Sequence, residues 1–286
     1  MLRLIDIRTL CFASSAAVLS LAVVMTYVRR RRRTYPGFGH WVLSAWCAAL
    51  GTGLLGLRGL APDGLTVVGA NLALYASTAL VATGLLAFTG GAVRPGRYAG
   101  LVLAAAALNA AFLYLHPSFR VRVVLYSLVT AGLLLRAAYL AWRPLKAVLG
   151  EDHALVRTVL LLLGSIYLLR AGSNLLHPPA SESLLAPALS QVAALTTFLT
   201  AQACVYAGLL VVNAQRVERD LKAAVQECKV LRGILPICAS CKKIRDGQGT
   251  WNPMEAYLHE HSGAEFTHGI CPDCAEAFRQ RGGFPA

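Results

Sequence analysis

Charge is what this sequence has least of. Of 286 residues only 14% are Asp, Glu, Lys or Arg, against roughly 25% in an ordinary soluble domain. Acidic residues are scarcest where apolar ones are densest: residues 1–213 hold 5 Asp and Glu beside 17 Lys and Arg. No acidic cluster, internal repeat or pair of interrupted apolar helices is present. A coupled transporter draws its ion sites from such features, so transport, or an enzyme built in the apolar half, stands only as an alternative. Residues 214–286 carry 10 basic and 9 acidic side chains. The excess of +13 therefore does not sit on the polar end of the chain, and a duplex-binding module is excluded there; no nucleic-acid partner is expected.

What is abundant is apolar sequence. Hydrophobic residues make up 56% and the mean hydropathy is +0.56, which reads as a polytopic membrane protein with the lipid bilayer as its first partner. Seven segments fit: Leu10 to Val28, Phe38 to Leu57, Leu65 to Phe88, Tyr98 to Leu115, Val121 to Trp142, Ala154 to Leu176 and Ala188 to Val212. Each is about 18 to 25 residues long, enough to cross ~30 Å of hydrocarbon at ~1.5 Å per residue. The first span ends in five arginines, Arg29 to Arg33. A cleaved signal peptide carries its charge first, so this is read as a retained span with the N-terminus outside. Arg94, Arg97, Arg143, Lys146 and Arg157 then fall in inner loops, with Arg58, Arg120 and Arg122 outside. After seven spans the C-terminus is expected in the cytoplasm.

Six polar residues interrupt the spans: Asn71, Asn109, Arg136, Arg170, Gln191 and Gln202. Polar groups at membrane depth are costly and invite a ligand site. The blander reading is that the arginines snorkel to the interfaces and the amides hydrogen-bond between helices. Beyond the seventh span, Leu210, Ala214, Val217, Leu221, Ala224, Cys228, Leu231 and Leu235 step alternately by four and three. This heptad pattern predicts a short parallel coiled coil, and hence a homodimer.

Eight cysteines divide into two groups. Cys11, Cys47, Cys204 and Cys228 stand singly in apolar or helical settings and are read as small packing residues. Cys238 with Cys241, and Cys271 with Cys274, form two C-x-x-C pairs about thirty residues apart. Zinc takes four N or S ligands in tetrahedral array, and two such pairs supply them. Four thiolates leave no open position for a catalytic water, which points to a structural zinc and away from an enzyme. The competing set exchanges one cysteine for His268, with His259 and His261 as poorer candidates. Around the pairs, Asp246-Gly247 signals a hairpin turn. Asn252-Pro253-Met254-Glu255 signals a helix start, with Asn252 as its cap. Glu265 to His268 fits a short strand, and Pro272 opens a last helix. A knuckle, a hairpin and a ligand pair at a helix start describe a treble-clef-like module.

Residues 225 to 275 resemble a known family. LRGI, LPICASCKKIRDGQGTW and EAYLHEHSGAEFTHGICPDC are similar to a C-terminal zinc-binding module of bacterial sensory and two-component proteins. The likeness includes both cysteine pairs, Trp251, Tyr257, His261-Ser262 and His268-Gly269. Asp6-Ile7-Arg8-Thr9, the arginine run before Tyr35-Pro36-Gly37, Leu57-Arg58-Gly59-Leu60 and Ala70-Asn71 resemble the membrane sensor regions of diguanylate cyclases and histidine kinases. Here no cyclase or kinase domain follows the spans.

The chain is therefore expected to be an all-α membrane protein followed by a small α+β zinc module. Residues 1–213 form a seven-helix transmembrane sensor domain, 214–234 a coiled-coil signalling helix, and 235–286 a cytoplasmic zinc module. The expected function is to relay a membrane or periplasmic stimulus to a cytoplasmic signalling protein docked on that module. The alternative is a thiol redox or metal sensor using the C-x-x-C pairs, with Lys242, Lys243 and Arg245 favouring thiolates.

Overall fold

A computed structural model describes residues 6–149, 153–176, 189–230, 235–262 and 264–280. They form two compact units, Met1–Glu218 and Arg219–Ala286. In chain order the elements are α1 (Ile7–Arg31), α2 (Phe38–Gly56), a π-helical turn (Gly64–Gly69) running into α3 (Ala70–Phe88), α4 (Pro95–Tyr114), α5 (Phe119–Leu149), α6 (His153–Leu176) and α7 (Leu189–Val230). The second unit then holds β1 (Ile244–Arg245), β2 (Trp251–Asn252), α8 (Met254–Ser262) and α9 (Pro272–Gln280). Seven of the described helices are long and apolar enough to cross a membrane. The protein is a multi-pass membrane protein.

The burial pattern shows what lipid does for such a bundle. On α1 the buried residues Ile7, Cys11, Ser14, Val18, Ala22 and Met25 follow one another at steps of three and four. The opposite side carries Phe12, Leu19, Val23 and Tyr27, all exposed. Both faces are apolar, so composition alone does not say which packs inward. Small and hydroxylated residues decide it. The Ser15 hydroxyl donates to Ala49 O at 2.7 Å, and Trp46 Nε1 donates to Thr26 Oγ1 at 3.1 Å. Three helices meet at a hydroxyl cluster: the Tyr206 hydroxyl of α7 lies 2.9 Å from Ser44 Oγ of α2 and 2.8 Å from Ser77 Oγ of α3, with all three side chains buried. At the end where α2 begins, Gly37 (φ +91°) and Gly84 let the backbones touch beneath the indole of Trp41.

The helix α7 has 42 residues, or ~63 Å at 1.5 Å per residue, about twice the hydrocarbon thickness. The boundary between the two units falls inside it. Where it leaves the first unit, the guanidinium of Arg216 lies 4.0 Å from the ring centre of Tyr35 and 4.9 Å from that of Phe88. It also donates to the carbonyl of Phe88. The Asn213 side-chain oxygen accepts from the Tyr35 N–H at 3.3 Å. The exit of α7 is thus held to the α1–α2 connection and to the end of α3.

In the second unit, β1 and β2 pair antiparallel with Ile244 opposite Asn252 and Arg245 opposite Trp251. Three local expectations are corrected. Asn252 does not cap α8: its amide donates to Asp246 Oδ2 at 2.9 Å, and the first helical bond runs from Tyr257 N to the carbonyl of Pro253. Tying the hairpin turn shut has outcompeted capping. Glu265 to His268 are irregular, there being no neighbouring strand among the described residues to pair with. Finally, Cys204 is exposed, whereas Cys11 is buried and Cys47 half-buried. A cysteine is apolar enough to face lipid as readily as protein.

Candidate metal centre

The first cysteine pair sits on a turn that doubles back on itself. Lys242 N donates to Cys238 O at 3.0 Å and Cys238 N to Lys243 O at 2.9 Å. Lys242 takes a left-handed conformation, φ 59°. This brings Cys241 back against Cys238, close enough for the Cys241 N–H and thiol to hydrogen-bond to the Cys238 sulfur. Those bonds, the backbone one foremost, lower the Cys238 pKa. The second pair opens α9. Ala275 N donates to Cys271 O at 2.9 Å, making Cys271 the cap residue, and the Cys274 N–H points to Cys271 Sγ at 3.5 Å. Backbone donors at this helix start lower the Cys271 pKa, and its sulfur in turn raises that of Cys274.

The structure brings each C-x-x-C pair together and does not bring the two pairs into one cluster. Among the described residues no three His, Cys, Asp or Glu side chains converge as a metal set. His261 is engaged elsewhere: its ring stacks on Tyr257 at 4.1 Å and 13°, with Nδ1 2.9 Å from Tyr257 O. His259 Nδ1 lies 3.1 Å from Ala264 O, and His268 is exposed.

Whether the residues fit a zinc ion can be judged from the module's interior. Between residues 235 and 280, Ile244 is the one fully buried apolar side chain among those described. Met254, Tyr257 and Leu258, expected to share a face of α8, are half-buried. So small an interior does not stabilise a fold of this length without a staple. Four thiols in two preformed turns are the donor set that zinc takes. The fit is good.

The turn between the strands rests on Asp246. Its carboxylate accepts from the N–H groups of Gln248 at 2.9 Å and Thr250 at 2.8 Å, besides the Asn252 amide. These bonds, that from Thr250 foremost, hold its pKa below the ordinary 3.8. A depressed carboxylate contributes stability that is present above its ordinary pKa and is lost as pH falls through the lowered value. In an acid titration followed by NMR, the Gln248 and Thr250 amides are expected to shift with a midpoint below 3.8. In Asp246→Ala the same amides are expected to lose exchange protection at neutral pH. A midpoint at the ordinary value would show the turn to be held otherwise.

The polar residues of the spans have separate fates. Asn71 of α3 donates to Val67 O at 2.8 Å and to Asn109 Oδ1 of α4 at 3.4 Å, and Asn109 donates to the Tyr75 hydroxyl at 3.3 Å. These amides join helices. Arg136 is exposed. The side chain of Gln191 lies outside the described residues. Arg170, in contrast, borders a cleft together with Arg58 and Arg122. Along the chain alone Arg58 and Arg122 read as loop charges, and only the fold groups them with Arg170. The available signal was that all three fall at the same end of their spans.

Comparison with family models, curated proteins and solved structures finds no match in any of the three.

Proposed function

We propose that this chain is a sensory signal-transduction protein of a bacterial inner membrane, with its N-terminus outside and its cysteine module in the cytoplasm. Cys238, Cys241, Cys271 and Cys274 hold a structural zinc, and the module docks a cytoplasmic signalling protein. Bound there, zinc supplies cross-linking of two turns and no open coordination position. The orientation is supported by the arginines that close α1 and open α4, and by Arg157, whose guanidinium stacks 3.8 Å from the Trp142 ring centre.

The observation that carries the relay is the continuity of α7. One unbroken helix runs from the Tyr206 hydroxyl cluster, past the Arg216 clamp, to within five residues of the module. A displacement at the cluster is transmitted along such a helix with little loss, whereas a loop would absorb it. Beyond Arg216 the heptad positions Leu221, 62% exposed, and Ala224 are open to solvent, which favours the homodimeric seam expected from the heptads.

The test is photo-crosslinking in intact membranes from a residue placed on α9. The unaltered protein is expected to trap a discrete partner. A Cys271→Ser, Cys274→Ser variant, still inserted, should lose it, and Arg216→Ala should change its recovery. A partner trapped equally by all three sinks the docking role. The proximity of the thiols within each pair, with Cys241, Cys271 and Cys274 exposed, favours the redox-sensor reading as the rival. Zinc retained at one per chain in mild oxidant would dismiss that rival.

A further inference from the structure

At the end of the seven-helix unit where α2 finishes and α5 begins lies a cleft of about 620 Å3, its open mouth included. Arg58, Asn71, Arg122, Tyr126, Arg170 and Phe198 line it together with Phe119 and aliphatic side chains. The first six come from four helices, α3, α5, α6 and α7, and from the loop that follows α2, so the cleft is a product of the assembled bundle. The π-helical turn Gly64–Gly69 borders it through Val67; such distortions recur at functional sites.

The charge balance of the cleft is one-sided. Among the described residues three guanidiniums line it and no carboxylate does. Asp63 is the acidic group that acts on Arg58 and Arg122 from nearby, and among the described residues none of the three arginines makes an ion pair. Arg58 and Arg122 share one aromatic ring, their guanidinium carbons 6.0 and 5.9 Å from the centre of Phe119. Snorkelling would send three such side chains separately to the interface. Here they are gathered around one half-enclosed, largely apolar space, with Arg122 Nε donating to Ser118 O at 3.3 Å and Asp63 as the nearby acidic group; an excess of positive charge remains that an anion would neutralise.

Tyr126 and Phe198 also line a second cleft of about 460 Å3, its open mouth included, together with Thr130, Tyr167, Gln202 and Tyr206. There Gln202 Oε1 is buried with no hydrogen-bond partner among the described residues. Tyr206 belongs to the hydroxyl cluster that fastens α7 to α2 and α3.

We infer that this is a binding site for an amphiphilic anion: a carboxylate or phosphate held by Arg58, Arg122 and Arg170, on an apolar body that lies against Phe198 and Tyr126. The site stands on the bundle alone and requires neither the cysteine module nor a signalling role. Its occupant comes from one of two sources, an acidic lipid of the surrounding bilayer or a soluble organic acid.

The test uses the full-length protein in phosphatidylcholine nanodiscs, with dodecanoate as probe and protein-free discs subtracted. Dodecanoate is expected to bind saturably, and dodecanol, which lacks the charge, is expected not to compete. Arg122→Gln and Arg170→Gln are each expected to weaken binding about tenfold, as loss of a charged hydrogen-bond partner does. Arg170→Lys should retain part of the affinity and guards against a merely misfolded variant, while Arg136→Gln should leave binding unchanged. Phosphatidylglycerol added to the discs distinguishes the sources: competition names the lipid, and its failure names the soluble acid. Equal binding by the Gln variants and the unaltered protein, or an equal loss in Arg136→Gln, would overturn the site.

Discussion

Serine at Cys271 and Cys274 is expected to unfold residues 235–280 and to leave the seven-helix unit in place. The size of the effect follows from how little else holds the module. Burying one isoleucine, Ile244, contributes about 1.5–3 kcal/mol. A two-residue-per-strand hairpin does not stand alone in water. Against these, structural zinc in small modules contributes roughly 10–16 kcal/mol of apparent binding free energy that is also folding free energy. With the zinc held as proposed, removing two of its four thiolates takes away enough of that term to leave the module unfolded. Amide hydrogen exchange should show the module fully unprotected in the variant, with α1 to α6 as protected as before. The unaltered protein should carry one zinc per chain by elemental analysis, and a strong chelator should reproduce the variant's exchange pattern. Protection that survives complete metal removal would refute the structural zinc, and with it the closed four-thiolate site.

The second large effect is expected at Gly37. A Cβ there would stand 2.0 Å from Gly84 O and 2.9 Å from Phe88 N. Both are backbone atoms of α3, unable to swing aside as a side chain would. The residue also holds φ +91°, where any L side chain is strained by about 1–3 kcal/mol. Above the contact, Trp41 is fully buried, donates from Nε1 to Val81 O at 3.3 Å, and packs 5.2 Å from Phe88. To admit a methyl group, α3 must move away from the start of α2. That loosens the indole and the Tyr35–Phe88 pair against which Arg216 rests. Gly37→Ala is expected to lower stability by more than ~3 kcal/mol, since overpacking against backbone and backbone strain add at this residue. Thermal unfolding in detergent micelles measures it. Gly96, whose added Cβ meets nothing within 4 Å, is the matched control: Gly96→Ala near the start of α4 should be neutral or slightly stabilising. If both alanines behaved alike, the close approach of α2 and α3 would not be a determinant of stability.

The two effects differ in how far each was legible beforehand. Cys238 with Cys241, and Cys271 with Cys274, are neighbours along the chain, and a turn or a helix start is enough to bring each pair together. Their spacing therefore speaks directly. Asp246 and Gly247 likewise announced a hairpin, but Asn252 had two uses open to it, as helix cap and as partner of Asp246. Local sequence does not rank two hydrogen bonds of similar strength. The contact of Gly37 with Gly84 was invisible, because a glycine in a loop and another in an apolar span each has many ordinary explanations.

What the sequence by itself determined is the number and approximate limits of the spans, the continuation of the seventh beyond the apolar region, and the two cysteine turns. All of these depend on apolar length, on helical period or on residues within four of one another. Only the tertiary structure decided which apolar face of α1 turns inward, that Ser44, Ser77 and Tyr206 meet, and that Arg58, Arg122 and Arg170 surround one cleft. The physical reason is the solvent. In water, polarity separates the outside of a helix from its inside and the pattern is written along the chain. In lipid both faces are apolar, and helix position is set by small residues, hydroxyls and arginines whose partners lie tens to more than a hundred residues away.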